Sequence, residues 1–239
     1  MHFAQTSQLI SALAADFVVL ANDPLVISMF ASLLVVWVTY VTFMRHLSVE
    51  PNKLLVVITG CDSGFGLGTA ERLTALGYKV VATCMTQEGL TNLQKFTTGA
   101  IICDVTKDAD VKALADLVDS ILDKPEHRQQ DVRLWTLINN AGIAPFGCVD
   151  WMPMDSFKLC IEVNYYGPIR LIHQFLPLLK QTPHSRIVNL SSVAGLCGAP
   201  FMGPYGGSKH ALEGMGKCLR EELMPFDVHV CHINPGVMK

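Results

Sequence analysis

Hydrophobic and polar positions give this chain two textures. From Leu25 to Met44, twenty consecutive residues carry no charge, the length at which a helix spans the hydrocarbon core of a bilayer. The run is apolar all round, without the polar stripe of a helix packed on a soluble core, so a transmembrane anchor is the leading reading. A cleaved signal peptide and a buried core helix are the alternatives. The first lacks its positive leading region, because Met1 to Ser11 contains no Lys or Arg. Ser7 to Leu20 is also apolar, but Asp16 interrupts it and it is too short to predict a second span. Asp16 and Asp23 precede the main run while Arg45 and Lys53 follow it. The basic residues vote for a cytosolic C-terminal side, as in a single-pass protein of the endoplasmic reticulum.

The second texture begins at Lys53. Short, almost wholly apolar runs alternate with amphipathic ones: strands at Leu54–Thr59, Lys79–Cys84, Ala100–Cys103, Leu134–Ile138, Arg186–Leu190 and Val228–Ile233. The predicted helices lie near Phe65–Leu76, Glu88–Phe96, Asp108–Leu122, Asp155–Lys180 and Tyr205–Leu223, with Pro168 and Pro177 as bends in the long one. Strands apolar on both faces, separated by helices, predict a parallel sheet covered on both sides. The expected fold class is α/β, a doubly wound Rossmann-like sheet preceded by a transmembrane helix. The organisation that follows is an N-terminal segment (1–24), an anchor (25–44), a linker (45–52) and one nucleotide-binding domain (53–239).

Composition narrows the partners. Half of the 239 residues are hydrophobic and 16% are charged, with a net charge of −3. No basic block offers nucleic acid an electrostatic footprint. The eight cysteines include no CxxC pair and no Cys/His cluster at zinc-like spacing, so no metal is expected. Cys84, Cys103 and Cys231 fall in or at the ends of predicted buried strands, where a reduced thiol acts as a small hydrophobe.

Chemistry concentrates where strands end. The first such turn reads Thr59-Gly60-Cys61-Asp62-Ser63-Gly64-Phe65-Gly66, directly after a strand and before a helix. Glycines there let a pyrophosphate lie against free N–H groups at the helix start. Asn139-Asn140-Ala141-Gly142 follows the fourth strand, and Asn164 stands inside the long helix; turn chemistry and a satisfied core amide are their simpler readings. Asn234-Pro235-Gly236 follows the sixth strand. Between them, Ser191 to Lys209 brings together a serine pair, a Gly/Pro-rich loop, Tyr205 and Lys209. Four residues apart on a helix, Tyr205 and Lys209 share a face. A neighbouring ammonium favours phenolate, and moving a tyrosine from about 10 to about 7 takes roughly 4 kcal/mol. Such a tyrosine trades protons with an alcohol or carbonyl at neutral pH, and Ser192 is placed to donate to the same oxygen.

Taken jointly, TGxxxGxG at Thr59–Gly66, NNAG at Asn139–Gly142, Asn164, Ser192, YxxxK at Tyr205–Lys209 and PG at Pro235–Gly236 resemble a classical short-chain dehydrogenase/reductase. The finer texture, TGCDSGFG, LINNAG, VNYYGPI and RIVNLSSVAG, is similar to the branch of retinol and 17β-hydroxysteroid dehydrogenases, which includes a hydroxybutyrate dehydrogenase. The resemblance implies catalysis by Asn164, Ser192, Tyr205 and Lys209, with Tyr205 as general acid/base and Asn164 in a water relay to the lysine. It implies cofactor contacts from Thr59, Gly60, Ser63, Gly64, Phe65, Gly66, Asp104, Asn140, Ala141, Gly142, Pro235 and Gly236, besides Tyr205 and Lys209. Cys84 and Met85 stand where family members often carry a selective acid or arginine. With Asp62 set to repel a 2′-phosphate, NAD is expected over NADP. The expected substrate is a lipophilic alcohol or ketone, a steroid or retinoid, with a short hydroxy acid as alternative; homo-oligomers are compatible with the family. Family members continue beyond Gly236 through a lid and a seventh strand, so an inactive or weak dinucleotide- or partner-binding variant is the other reading.

Overall fold

The computed structural model describes Asp23, Pro24, Ser28, residues 31–38 and residues 50–236. The chain divides into two compact units, residues 1–49 and 50–239. In the first, residues 31–38 are helical and exposed, with Trp37 and its apolar neighbours uncovered. No helix among the described residues is long and apolar enough to cross a membrane. Most of the 25–44 run, the Ser7–Leu20 stretch and linker residues 45–49 lie outside the described residues. The rest of the linker is ordered locally: Pro51–Lys53 form a 3₁₀ turn, capped by Lys53 N–H donating to the Glu50 carbonyl at 3.0 Å.

The second unit is the expected parallel sheet. Its strands are β1 (Leu54–Ile58), β2 (Lys79–Cys84), β3 (Gly99–Ile102), β4 (Arg133–Asn139), β5 (Ser185–Leu190) and β6 (Val228–Ile233), in the order β3-β2-β1-β4-β5-β6. Each neighbouring pair is parallel. Between β1 and β4 the order reverses direction, and the loops after these strands open into the crevice where such sheets bind ligands. The helices are α1 (Gly64–Ala75), α2 (Gln87–Leu93), α3 (Asp108–Leu122), α4 (Pro125–Gln129), α5 (Met154–Ile161), α6 (Gly167–Leu179) and α7 (Gly203–Leu223).

One core layer joins the β1, β4 and β5 face to α3 and α6 through Leu55, Val57, Leu114, Val118, Leu137, Phe175 and Ile187. The opposite face packs Ile58, Val80 and Ala82 against Ala70 of α1 and Leu93 of α2. Burial of a large apolar side chain contributes about 1.5–3 kcal/mol, so continuous apolar strands follow from a sheet covered twice. β6 differs, alternating buried Val228 and Val230 with exposed His229 and Cys231. Cys231 is therefore exposed, not buried as its apolar flanks suggest, because β6 pairs with β5 alone among the described strands. Cys84 and Cys103 are buried, and all eight cysteines are free thiols.

The long helix expected over 155–180 is not uniform. Residues 162–166 form a π-helical turn between α5 and α6, where the Gly167 N–H reaches back to the Glu162 carbonyl. Pro168 has no N–H to give the carbonyl of Asn164, so the α-helical ladder cannot run through this point. Such π turns recur where a helix serves a site, and this one contains Asn164.

Candidate active site

The loop after β1 is held to the loop after β4 by a small staple. Thr59 Oγ1, fully buried, accepts the N–H groups of Asn140 and Ala141, both at 3.1 Å. In return the Asn140 amide donates to the carbonyls of Thr59 and Gly60, at 2.7 and 2.8 Å. Gly60 adopts φ +69°, and a Cβ there would come within 2.8 Å of Ala141 Cα. At Gly66 a Cβ would collide with the Gly60 carbonyl and sit 2.5 Å from Asn140 Nδ2. The TGxxxGxG spacing thus packs the start of α1 against the turn.

Asp62 adds a contact that spacing did not reveal. Its carboxylate accepts the N–H groups of Met85 and Thr86, at 2.8 and 3.0 Å, and the Thr86 hydroxyl at 2.7 Å. An acid from the first loop therefore stands at the end of β2, where Cys84 and Met85 offer none. A reach between two loops leaves no periodic signal in a sequence.

Asn164 is 1% exposed and its amide is used throughout. The carbonyl oxygen accepts Ile143 N–H at 2.8 Å, and Nδ2 donates to the Ile143 carbonyl at 2.8 Å and to Ser208 Oγ at 2.9 Å. Ser208 donates onward to the Tyr205 carbonyl at 2.7 Å. Asn164 thus ties the loop after β4 to the first turns of α7.

Lys209 is 4% exposed. Its ammonium donates to the Leu190 carbonyl at the end of β5, 2.6 Å away, and lies 5.7 Å from the centre of the Tyr205 ring. Burial pulls its pKa down to about 8, against the opposing influence of Cys160 and Glu213. Behind it, Asn139, Asn189 and His232 form a polar row across β4, β5 and β6: Asn139 donates to Asn189 at 2.8 Å, and Asn189 lies 3.4 Å from His232. The other nitrogen of His232 is 3.1 Å from Glu213, one helical turn beyond Lys209. Burial works against the charge on Glu213, but Ser191, His232 and Asn234 hold its carboxyl below the usual range. Ser192 Oγ accepts Ala194 N–H at 3.1 Å, leaving its own proton for another acceptor. The Pro235 carbonyl accepts Val193 N–H at 3.1 Å, which brings the Pro235-Gly236 loop to the serine pair.

These groups enclose a cleft of about 520 Å³ that runs from Asp62 and Met85, past the glycine turn, to Ser192, Tyr205 and Lys209. Of the residues expected at the site, Gly60, Ser63, Phe65, Gly66, Asp104, Asn140, Ala141, Gly142, Ser192, Tyr205, Lys209, Pro235 and Gly236 line it. Thr59 and Asn164 stand behind the wall as its fasteners, and Gly64 sets the turn at φ +60°. Asp104 turns its carboxylate to Thr106; burial disfavours the charge, but the Thr106 bonds and Lys107 hold its pKa low. Asp62 and Met85, on which the expected cofactor preference rests, also line the cleft, as do Cys103 and Val105, which were not expected there.

The short chain dehydrogenase profile matches residues 54–239. The chain belongs to the short-chain dehydrogenase family. The chain is 36% identical over 206 residues to "3beta-hydroxysteroid dehydrogenase dhs-16" of Caenorhabditis elegans, covering 82% of this chain and 52% of that protein. It is 36% identical to the mitochondrial D-beta-hydroxybutyrate dehydrogenase of Bos taurus, covering 79% of this chain and 56% of that protein. The chain thus spans about half the length of these relatives. Among solved structures, a short-chain dehydrogenase/reductase from Burkholderia phymatum in complex with NAD superposes with a TM-score of 0.70 at 28% identity, over 80% of this chain and 68% of that one.

Proposed function

We propose that this dehydrogenase is the cofactor-binding and proton-transfer part of a membrane-anchored oxidoreductase. Its substrate would be a secondary alcohol or ketone, or a retinol-type alcohol, of a lipophilic molecule. The observation that carries the reading is Lys209, a buried ammonium held at the junction of β5, α7 and the glycine-walled cleft. Burying a cation costs several kcal/mol even after relaxation, and such groups cluster at functional sites.

The cleft fits a nicotinamide dinucleotide. Gly60, Gly66 and the start of α1 would hold the pyrophosphate, Met85 and Val105 would flank the adenine side, and Pro235 with Tyr205 and Lys209 would meet the nicotinamide side. Asp62 at the end of β2 favours a ribose hydroxyl over a 2′-phosphate, which supports NAD over NADP. When bound, the cofactor supplies or takes a hydride at the substrate carbon. Tyr205 then gives or takes the proton at the substrate oxygen, Ser192 donates a hydrogen bond to that oxygen, and the Lys209 charge favours the phenolate.

A lipophilic substrate is favoured by the rim. The loop after Ala144 meets the loop before α7 through Gly147 N–H donating to the Phe201 carbonyl at 2.9 Å. These loops expose Phe146, Val149, Trp151, Leu196 and Phe201. Among the described lining residues Lys209 is the one cation, and it is committed to Leu190. The described cleft therefore offers a substrate carboxylate no free side-chain cation, which supports a lipophilic substrate over a short hydroxy acid. The span expected at 25–44 would keep the site where such molecules partition.

The test offers the full chain in detergent a panel of steroids, retinols and short hydroxy acids with NAD(H) and NADP(H), followed by nicotinamide absorbance. Turnover on a lipophilic alcohol, lost in Tyr205→Phe with cofactor affinity retained, is the expected result. Equal rates for Tyr205→Phe and the parent would overturn the acid/base role. Cofactor binding without turnover on any compound would instead favour a dinucleotide-binding variant.

A further inference from the structure

At the far end of the sheet from the cleft, three side chains with metal-binding atoms converge. His184 precedes β5, Asp227 precedes β6, and His229 is the second residue of β6, paired with Arg186. One ligand atom from each can be chosen so that all lie within 4.8 Å of one another. Asp227, left-handed at φ +56° just before β6, turns its carboxylate toward His229, whose Nε2 lies 3.5 Å from Oδ1. His184 reaches them from the neighbouring strand, its Nδ1 2.9 Å from Asp227 Oδ2.

We propose that His184, Asp227 and His229 form a site for a divalent transition-metal ion of the zinc class. The chemistry is two neutral imidazoles and one carboxylate, borderline donors that suit Zn²⁺ and its neighbours better than Ca²⁺ or Mg²⁺. His184 meets Asp227 directly, whereas the separation of His229 from Asp227 suits a shared ion better than a hydrogen bond. His229 Nε2 lies 3.5 Å from Asp227 Oδ1, long for a hydrogen bond. Tetrahedral ligands at Zn–N distances of about 2.0–2.1 Å stand roughly 3.3 Å apart, close to that separation. The carboxylate is also oriented as a ligand's is. The backbone N–H of His184 donates to Asp227 Oδ2 at 2.7 Å, fixing the group while Oδ1 faces His229. Outer contacts of this kind set the aim of metal ligands.

The neighbouring cations have other partners. Arg186 stacks on Trp135, 4.1 Å from the ring centre, and Lys180 lies 3.8 Å over Phe226. All three ligand residues remain accessible, with side-chain exposures of 72%, 46% and 58% for His184, Asp227 and His229, so water can complete the coordination. A bound ion would bridge the starts of β5 and β6, clipping the outer strand to its neighbour. Nothing in the cleft is within this cluster, so the site is independent of the catalytic reading.

Cobalt(II) is the probe, because its absorption separates nitrogen and oxygen ligands from thiolates, which matters in a chain with eight free cysteines. The full chain in detergent is titrated with Co²⁺ and then with Zn²⁺ in competition, and its melting is followed with and without Zn²⁺. The expected result is one Co²⁺ per chain with a nitrogen/oxygen spectrum, displaced by Zn²⁺, and a melting temperature raised by the ion. Asp227→Asn keeps a side chain that tolerates the left-handed backbone at φ +56°. It should weaken binding roughly tenfold or more, and His184→Ala with His229→Ala should abolish both the spectrum and the melting shift. No saturable binding, a thiolate charge-transfer spectrum, or a spectrum unchanged in the double variant would each overturn the proposal. Asp227→Asn also checks folding: native-like melting without metal, together with lost binding, assigns the defect to the site.

Discussion

Replacing Lys209 by methionine tests what the buried ammonium does to stability. The pKa falls from the ordinary 10.5 to about 8 on burial, and each unit corresponds to 1.36 kcal/mol, so the charged form is disfavoured by about 3 kcal/mol in the folded chain. Unfolding therefore takes up a proton between pH 8 and 10.5, and stability rises with pH across that window. Below pH 8 the full penalty is present. Methionine removes the charge and keeps the length, at the cost of leaving the Leu190 carbonyl, now bonded at 2.6 Å, without its donor, about 1–3 kcal/mol. At pH 7 Lys209→Met should accordingly be as stable as the parent or up to about 2 kcal/mol more stable, while any turnover is lost. Urea titrations of both proteins without cofactor, by circular dichroism from pH 7 to 10.5, read the difference directly. Relative to the variant, the parent should gain about 3 kcal/mol over that range, because titrations common to both cancel. A difference that stays flat with pH would show that Lys209 is not held in an environment that disfavours its charge.

Asn164→Ala should lower stability by about 2–4 kcal/mol, since it strips partners from Ile143 N–H and carbonyl and from Ser208 together; urea midpoints measure it, and a loss below about 1 kcal/mol would refute the fastening role. Gly66→Ala should abolish cofactor binding in equilibrium titration even where circular dichroism remains native, because the new Cβ displaces the Gly60 carbonyl and Asn140; undiminished affinity would show that the turn can shift freely. Asp62→Asn should raise NADP(H) affinity relative to NAD(H) by roughly tenfold or more by removing the charge at the end of β2, and an unchanged ratio in paired titrations would place the discriminating group elsewhere. Removing residues 1–49 should leave a folded protein in the supernatant after ultracentrifugation, whereas the full chain should pellet with membranes; a truncated folded chain that still pellets would reveal a second membrane contact.

The sheet was legible because both of its faces are covered. A doubly buried strand must be apolar throughout, and Lys79–Cys84 coincides with β2, as Asp108–Leu122 does with α3; Val228–Ile233 coincides with β6 as well, although only Val228 and Val230 of it are buried. Helix detail was less legible. The break at Pro168 was anticipated as a bend, but its form as a π turn, with the Gly167 N–H reaching back to the Glu162 carbonyl, is not encoded in any hydrophobic period. The short helix α4 was absent from the reading, having little apolar pattern beyond buried His127. At the site, motif residues converged as expected, whereas Asp62 at the end of β2 and Glu213 with His232 behind Lys209 act across elements. The metal cluster escaped for the same reason: His184 and Asp227 are 43 positions apart and meet only through β5–β6 pairing.

The Thr59–Asn140 staple also bears on when the site can come into being. Its partners are 81 positions apart, and β1 lies between β2 and β4, so one flank of β1 has no neighbour until β4 has been made. At synthesis rates of about 5–20 residues per second, that flank is without its partner for roughly 4–15 s after β1 is made. During this interval the chain has an apolar strand with an open edge. Native exchange of the Thr59 and Asn140 amides would therefore report on the late, long-range closure of the sheet, and a chain arrested before β4 would lack the cofactor cradle however well its first helix had formed.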